Sequence, residues 1–300
     1  MSRVHEWATE RPVATFFVVT FAFTWLFNGI RYLLHLGPQS LLGYALGVTG
    51  AFGPPVAAAV VIALRGDDLR AWASRIVKWR VHPKWYVAAI GLPLAFAAGT
   101  TALYAGLGGP ISLDGFPGAP VYIFVFGLVL AVFLGGGQEE GGWRGFALPH
   151  LQERYDALTA SLIIGVFWAL WHLPAFLDPA APQYHFPLVN KLVYLPTLLG
   201  VSVILTWFYN NTGSIFVAMV FHGAENVLSG RIPYDVAILA PGGVINESLV
   251  LIVVVPLMVV IWTVAVVLLR LYGRRTLSRN PIPGPEAAGA RRHVATVADD

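Results

Sequence analysis

Apolar residues run along this chain in blocks of about 20, separated by short polar or basic connectors. That is the length an α-helix needs to cross about 30 Å of hydrocarbon. Eight such blocks occupy residues 13–34, 41–64, 85–107, 121–147, 157–176, 191–209, 213–229 and 248–271. The pattern predicts an all-α, polytopic integral membrane protein of about eight transmembrane helices with a buried polar site. Two blocks fit less well than the rest. The fourth reaches full length only if its last turns, which carry Glu139 and Glu140, are included, and the seventh is short and contains His222, Glu225 and Asn226.

Composition agrees with the pattern. Of 300 residues, 57% are hydrophobic and 12% are charged, about half the charged fraction usual for soluble domains. The basic residues then orient the helices. With the amino terminus inside, sixteen Lys and Arg fall on cytoplasmic segments, including six between Arg65 and Lys84 and six from Arg270 to Arg292. Only Arg31, Lys191 and Arg231 fall outside. This is the bias of cytoplasmic loops, and an odd number of helices would break it. Membrane lipids are therefore the expected surroundings, and the net charge of +3 calls for no nucleic-acid partner.

The chain has no cysteine, so it offers no thiol nucleophile and no thiolate metal ligand. The charged start Met1–Arg11 leads into a segment long enough to stay as an anchor, so no cleavable leader is expected. The stretch 65–84 reads either as an amphipathic helix on the inner leaflet or as a loop with interfacial aromatics. Residues 273–300 have the composition of a disordered cytoplasmic tail.

Ionisable groups at membrane depth are costly, and they normally face a protein interior or a water-filled cavity. In Q-E-E-G-G-W-R, successive helical positions differ by about 100°, so Glu139 and Glu140 point in different directions. Glu140 and Arg144 stand at i,i+4 and are expected to pair, leaving Glu139 to face a cavity. Gly141–Gly142 between them can bend the helix and rotate these faces. In F-W-A-L-W-H-L-P, His172 lies one turn beyond Trp168. In F-H-G-A-E-N, His222, Glu225 and Asn226 share one helical face. Asn28, Arg31 and His35 read as interface anchors at the outer end of the first helix.

The three central motifs can meet below the cytoplasmic surface. Glu139 lies about 12 Å from the inner end of a helix ending at Ala147, His222 about 13 Å and His172 about 22 Å along theirs. A carboxylate can take a proton from water, imidazoles can orient that water or bind a divalent ion, and a histidine with an asparagine amide can donate to an oxyanion. Amide hydrolysis is the leading reading. A relay of Glu139, His172 and His222 in a transporter or proton-coupled carrier, or a non-catalytic binding protein, remain alternatives.

In this order, E-E-x-x-x-R at Glu139–Arg144, W-x-x-x-H at Trp168–His172 and H-x-x-x-N at His222–Asn226 resemble the type II CAAX prenyl endopeptidase family. This is the CPBP, or Abi, group of intramembrane metalloproteases. The resemblance covers residues 121–230 as a catalytic core, with 1–120 and 231–272 as further membrane helices. It implies Glu139 as water-activating base, supported by Glu140 and Arg144. His172 would be a partner of the water or a metal ligand, and His222 with Asn226 oxyanion donors or further ligands. The resemblance also implies a divalent metal such as zinc on Glu139, His172 and His222, and a peptide or protein substrate that is prenylated in some members, while the shared depth of the three motifs predicts a site open to the cytoplasm. Other prokaryotic members are linked to peptide processing, bacteriocin immunity or regulatory binding. A prokaryotic plasma membrane with both termini cytoplasmic is the expected location. The family usually has Phe where this chain has Trp168, a departure expected to alter packing without loss of activity.

Overall fold

A computed structural model describes residues 3–109, 111, 121–229, 239–240, 244–245 and 247–285. All eight apolar blocks are helical. Six stretches are long and apolar enough to span a membrane singly: Pro12–Leu33, Lys84–Gly106, Tyr122–Leu151, Ala157–Leu177, Leu188–Thr212 and Leu251–Tyr272. The second block is a pair of helices, Leu41–Ala51 and Gly53–Arg65, bent by 44° and able to form a seventh span. The seventh block, Ile215–Ser229, is apolar but shorter than a span. The protein is a multi-pass membrane protein, and the only strands among the described residues are the two-residue pair Leu239–Ala240 and Val244–Ile245.

In chain order the helices are α1 (Arg3–Glu10), α2 (Pro12–Leu33), α3 (Leu41–Ala51), α4 (Gly53–Arg65), α5 (Leu69–Ile76), α6 (Lys84–Gly106) and α7 (Val121–Leu134). A 3₁₀ turn at Gly137–Glu139 leads into α8 (Glu140–Gly142), a π-helical turn (Trp143–Ala147) and α9 (Leu148–Leu151). Then follow α10 (Ala157–Trp171), α11 (Leu173–Leu177), α12 (Leu188–Thr212), α13 (Ile215–Ala224) with a second π turn (Glu225–Ser229), and α14 (Glu247–Tyr272).

The bend between α3 and α4 follows from Pro54 and Pro55, which supply no backbone N–H to the preceding turn. Across the bend, the Thr24 hydroxyl of α2 donates to the Gly50 carbonyl at 2.7 Å. At the centre lies α12, whose run Gly200–Asn210 is buried on every side. A helix apolar all round belongs in the interior of a bundle, and α12 packs between α10 and α14.

Two regions differ from the sequence reading. The basic stretch 65–84 does contain an amphipathic helix, α5, but its Trp72 is buried and donates from Nε1 to the Gly141 carbonyl at 3.0 Å. This helix braces α8. The tail does not begin at Gly273, because Gly273–Pro285 packs back on the bundle. Asn210 donates to the Thr276 carbonyl and Asn211 to the Leu277 carbonyl, at 2.7 and 2.8 Å, and Leu277 is fully buried. Amide side chains at the end of α12 thus satisfy backbone acceptors that composition alone left to solvent. Residues 286–300 of that expected tail lie outside the described residues.

Candidate active site

The chain reaches the site through a break in the helix that follows α7. Gly136 has φ of 127°, a conformation that costs little only for glycine. A Cβ there would strike Asn226 Nδ2 and would lie 2.8 Å from His222 Nε2. Gly137 is pressed against the carbonyls of Val132 and Met219 in the same way. The glycine run therefore lets the backbone pass directly under α13 and delivers Glu139 and Glu140 into the protein interior.

The two glutamates have separate surroundings. Glu139 Oε2 accepts from Trp168 Nε1 at 2.7 Å and from Trp143 Nε1 at 3.4 Å. Neither donor reaches Oε1, and Glu139 lines a cavity of about 410 Å³. Glu140 is fully buried, 3.1 Å from Arg144 and with its Oε1 2.8 Å from His222 Nδ1. Arg144, equally buried, also donates to Ser202 Oγ at 2.8 Å and stands 5.5 Å from the centre of the Trp168 ring. Ser202 Oγ in turn donates to the Ser161 carbonyl at 2.7 Å. A buried ion pair holds its geometry when further hydrogen bonds complete it, and here α10, α12 and α13 all contribute.

Gly141–Gly142 serve close packing. A Cβ on Gly142 would meet the Pro54 backbone at 2.5 Å, so α8 can cross α4 in van der Waals contact only without a side chain there. The irregularity in this helix comes directly after the pair, as the π turn from Trp143 to Ala147.

His172 caps α10, and its Nδ1 lies 2.9 Å from the Trp168 carbonyl. His222 Nδ1 faces Glu140 in the same manner, so both rings present Nε2 towards the cavity wall they line. Asn226 donates from Nδ2 to the Gly135 carbonyl at 2.8 Å and keeps a second N–H. Glu139, His172, His222 and Asn226 thus share one cavity, while Glu140 and Arg144 stand behind it.

The metal expectation meets a different arrangement. Among the described residues no three His, Asp or Glu side chains stand close enough together to hold a metal ion. Glu139, His172 and His222 line the same space without converging on one point.

Depth also differs from the sequence reading. The helix carrying Glu140 continues through Leu151, which puts Glu139 about 18 Å from that end. Helix α13 starts beside the basic connector, where Ser214 Oγ donates to the Lys78 carbonyl at 2.6 Å, so His222 lies about 12 Å along it, as the sequence reading had it. His172 lies about 22 Å along α10, Asn28 about 24 Å along α2, and Tyr194 about 27 Å back from the end of α12. The cavity therefore reaches from the depth of His222 into the half of the molecule away from the basic connectors. Arg144, counted among the cytoplasmic charges, is buried at the site.

Several participants were not singled out in the sequence. Trp143, Ser202, Tyr194 and Gly136 sit in apolar or glycine-rich runs that look structural, although G-G-G before paired acids is a signal of irregular backbone. Asn28, read as an anchor, lines the cavity, and Arg31 pairs with Asp178 at 2.8 Å.

Residues 121–228 match the family described as type II CAAX prenyl endopeptidase Rce1-like. Over 95 residues, the chain is 35% identical to the CAAX prenyl protease 2 of Methanococcus maripaludis. That alignment covers 30% of this chain and 34% of the relative, so the chain matches about a third of that protein's length. The motif resemblance holds over this stretch.

Proposed function

We propose that this chain, whose site-bearing segment matches the Rce1-like type II CAAX prenyl endopeptidases, is an intramembrane endopeptidase in which Glu139 activates water. The observation that carries the reading is the separation of the two carboxylates: Glu139 lies on the cavity wall with one oxygen free of protein donors, and Glu140 is sealed behind it against Arg144 and His222.

In this reading a water molecule beside Glu139 Oε1 gives up a proton to the carboxylate, and its oxygen attacks the carbonyl carbon of the peptide bond. The carbonyl oxygen gains negative charge as the tetrahedral centre forms. The second N–H of Asn226 and, when His222 is protonated, its Nε2–H are the donors nearest Gly136 that can meet that charge. Collapse breaks the C–N bond, and the proton held by Glu139 passes to the departing amine. His172 Nε2 orients the attacking water. Glu140 holds the His222 ring by accepting from Nδ1 and leaves it charged or neutral as the step requires.

This account routes no step through a metal, because the ligand set expected from the sequence does not converge. The substrate is a peptide or protein segment; the apolar walls, which include Leu134, Trp171, Leu198 and Val201, suit a lipidated or membrane-embedded one. With the basic connectors cytoplasmic, the cavity extends from His222 into the opposite half of the bilayer, which favours a substrate that enters from within the membrane or from the far face.

Purified protein is incubated with quenched-fluorescent peptides, prenylated and unprenylated, as wild type and as Glu139→Gln, each with and without chelator. The expected result is cleavage that is lost in the variant and unaffected by chelator. Full activity in a folded Glu139→Gln variant overturns the assignment, and loss on chelation overturns the metal-free form of it.

A further inference from the structure

A second cavity, of about 590 Å³, lies at the opposite end of the molecule, between the start of α2, the end of α9 and the outer face of α10. Its floor is apolar, formed by Phe17, Val18, Ile163 and Phe167. Its rim carries two cations, Arg11 and Arg154, and two anions, Glu10 and Glu153. All four are exposed, and no ion pair or side-chain hydrogen bond joins any of them to another described residue.

His150 forms part of the wall and is 94% buried, with 6% exposure. Its Nδ1 is engaged by the Phe146 carbonyl at 2.8 Å, but Nε2 is buried and has no partner. A buried polar nitrogen left unpaired costs about 1–3 kcal/mol, so its presence beside a cavity points to a ligand that the described side chains do not supply.

The dimensions match one class of molecule. From the rim at Ala157 to Phe167, the groove descends about 15 Å along α10, half of a hydrocarbon core of about 30 Å. It is one leaflet deep, apolar below and doubly charged above. The unpaired guanidinium groups suit a phosphate, and the unpaired carboxylates suit an ammonium, so the rim complements a headgroup that carries both.

We infer that this groove binds one aminophospholipid of the inner leaflet, with its phosphate between Arg11 and Arg154, its ammonium donating to Glu10, Glu153 and the free Nε2 of His150, and an acyl chain along Phe17, Val18, Ile163 and Phe167. Phe17 stacks on Phe167 with ring centres 3.9 Å apart and stands 6.3 Å from Trp143, the indole that donates to Glu139. The lipid is thereby separated from the candidate base by two aromatic rings.

Native mass spectrometry of the full chain in detergent tests this, with phosphatidylethanolamine, phosphatidylglycerol and phosphatidylcholine added in turn. One phosphatidylethanolamine is expected to be retained per protein, in preference to the other two. Arg11→Ala combined with Arg154→Ala should reduce retention at least about tenfold, the loss of one charge-assisted contact or more. Glu10→Gln with Glu153→Gln should erase the preference over phosphatidylglycerol. Val18→Trp, on an exposed position of the floor, should displace the acyl chain while leaving the rim intact. Equal retention of all three lipids by the wild type, or retention unchanged in the double arginine variant, overturns the proposal.

Discussion

Glu140 and His222, 82 residues apart in sequence, meet with Oε1 and Nδ1 2.8 Å apart, and Arg144 closes on the same carboxylate from one turn away. The three form a fully enclosed charged group inside a membrane bundle. Removing one member of a buried pair costs about 3–5 kcal/mol, because the partner is left uncompensated. Arg144→Met should therefore lower the thermal unfolding temperature in detergent sharply, and adding Glu140→Gln should recover part of the loss. A double variant as unstable as the sum of the singles would show that the two residues act independently.

Gly136 makes a separate claim. Its φ of 127° and the nearness of His222 Nε2 leave no room for a methyl group. Gly136→Ala should depress peptide cleavage by tenfold or more, about 1.4 kcal/mol, by displacing Asn226 and His222 from the cavity. Cleavage assays on protein that elutes normally by size would detect it, and unchanged kcat would remove Gly136 from the site.

At Trp168 the sequence reading expected a packing role, and the structure adds a hydrogen bond to Glu139 at 2.7 Å. Trp168→Phe keeps a ring near Arg144 and His222 and deletes only the N–H. A hydrogen bond to a charged group is worth about 1.5–3 kcal/mol, so kcat should fall about ten- to a hundredfold with KM little changed. A rise in KM at constant kcat would instead mean that the indole contacts substrate.

Asp156 caps α10 by accepting from the Thr159 N–H at 2.7 Å, and this bond, aided by Arg274, holds its carboxyl below the ordinary aspartate value. A lowered folded-state pKa means that the stabilisation is complete above the unfolded value of about 3.9 and is lost as pH falls through the folded one. Asp156→Ala should cost about 1 kcal/mol at pH 7. The difference between variant and wild type should shrink when unfolding is followed towards pH 3.

The absence of cysteine makes the side of the membrane directly measurable. Thr197→Cys places one thiol on the cavity wall. In sealed vesicles of known orientation, a charged maleimide should label it from the face opposite the basic connectors. Labelling only from the basic face would restore the cytoplasmic opening expected from the sequence.

The helices were legible because their signal is simple: all eight apolar blocks are helical, six of them long enough to span singly and one as a bent pair, while the shortest, Ile215–Ser229, falls below a span. The i,i+4 relation of Glu140 to Arg144 was equally readable, since helix geometry fixes it over one turn. What the sequence hid are relations across the bundle. Ser202 supports Arg144 from 58 residues away, and nothing local distinguishes it from other small residues of α12. Trp72 bracing Gly141 and the packing of Gly273–Pro285 are hidden for the same reason. The depth of Glu139 was underestimated because a helix end assumed at Ala147 lies at Leu151, whereas His222 lies about as deep as the sequence placed it.

The two π-helical turns, Trp143–Ala147 and Glu225–Ser229, follow the helical segments that carry Glu140 and His222. Each amounts to one residue inserted into an otherwise regular helix, and each residue turns a helix by about 100°. The first turn sets the angular phase of Glu140 against the α9 face that carries His150, and the second holds Asn226 itself, one turn beyond His222. A single-residue deletion within either turn would restore a regular helix and swing everything beyond it to a different face, leaving composition and hydropathy almost untouched. The alignment of this site is in that sense a matter of phase, and a chain of equal apolarity with the second turn one residue shorter would keep the bundle and part Asn226 from His222.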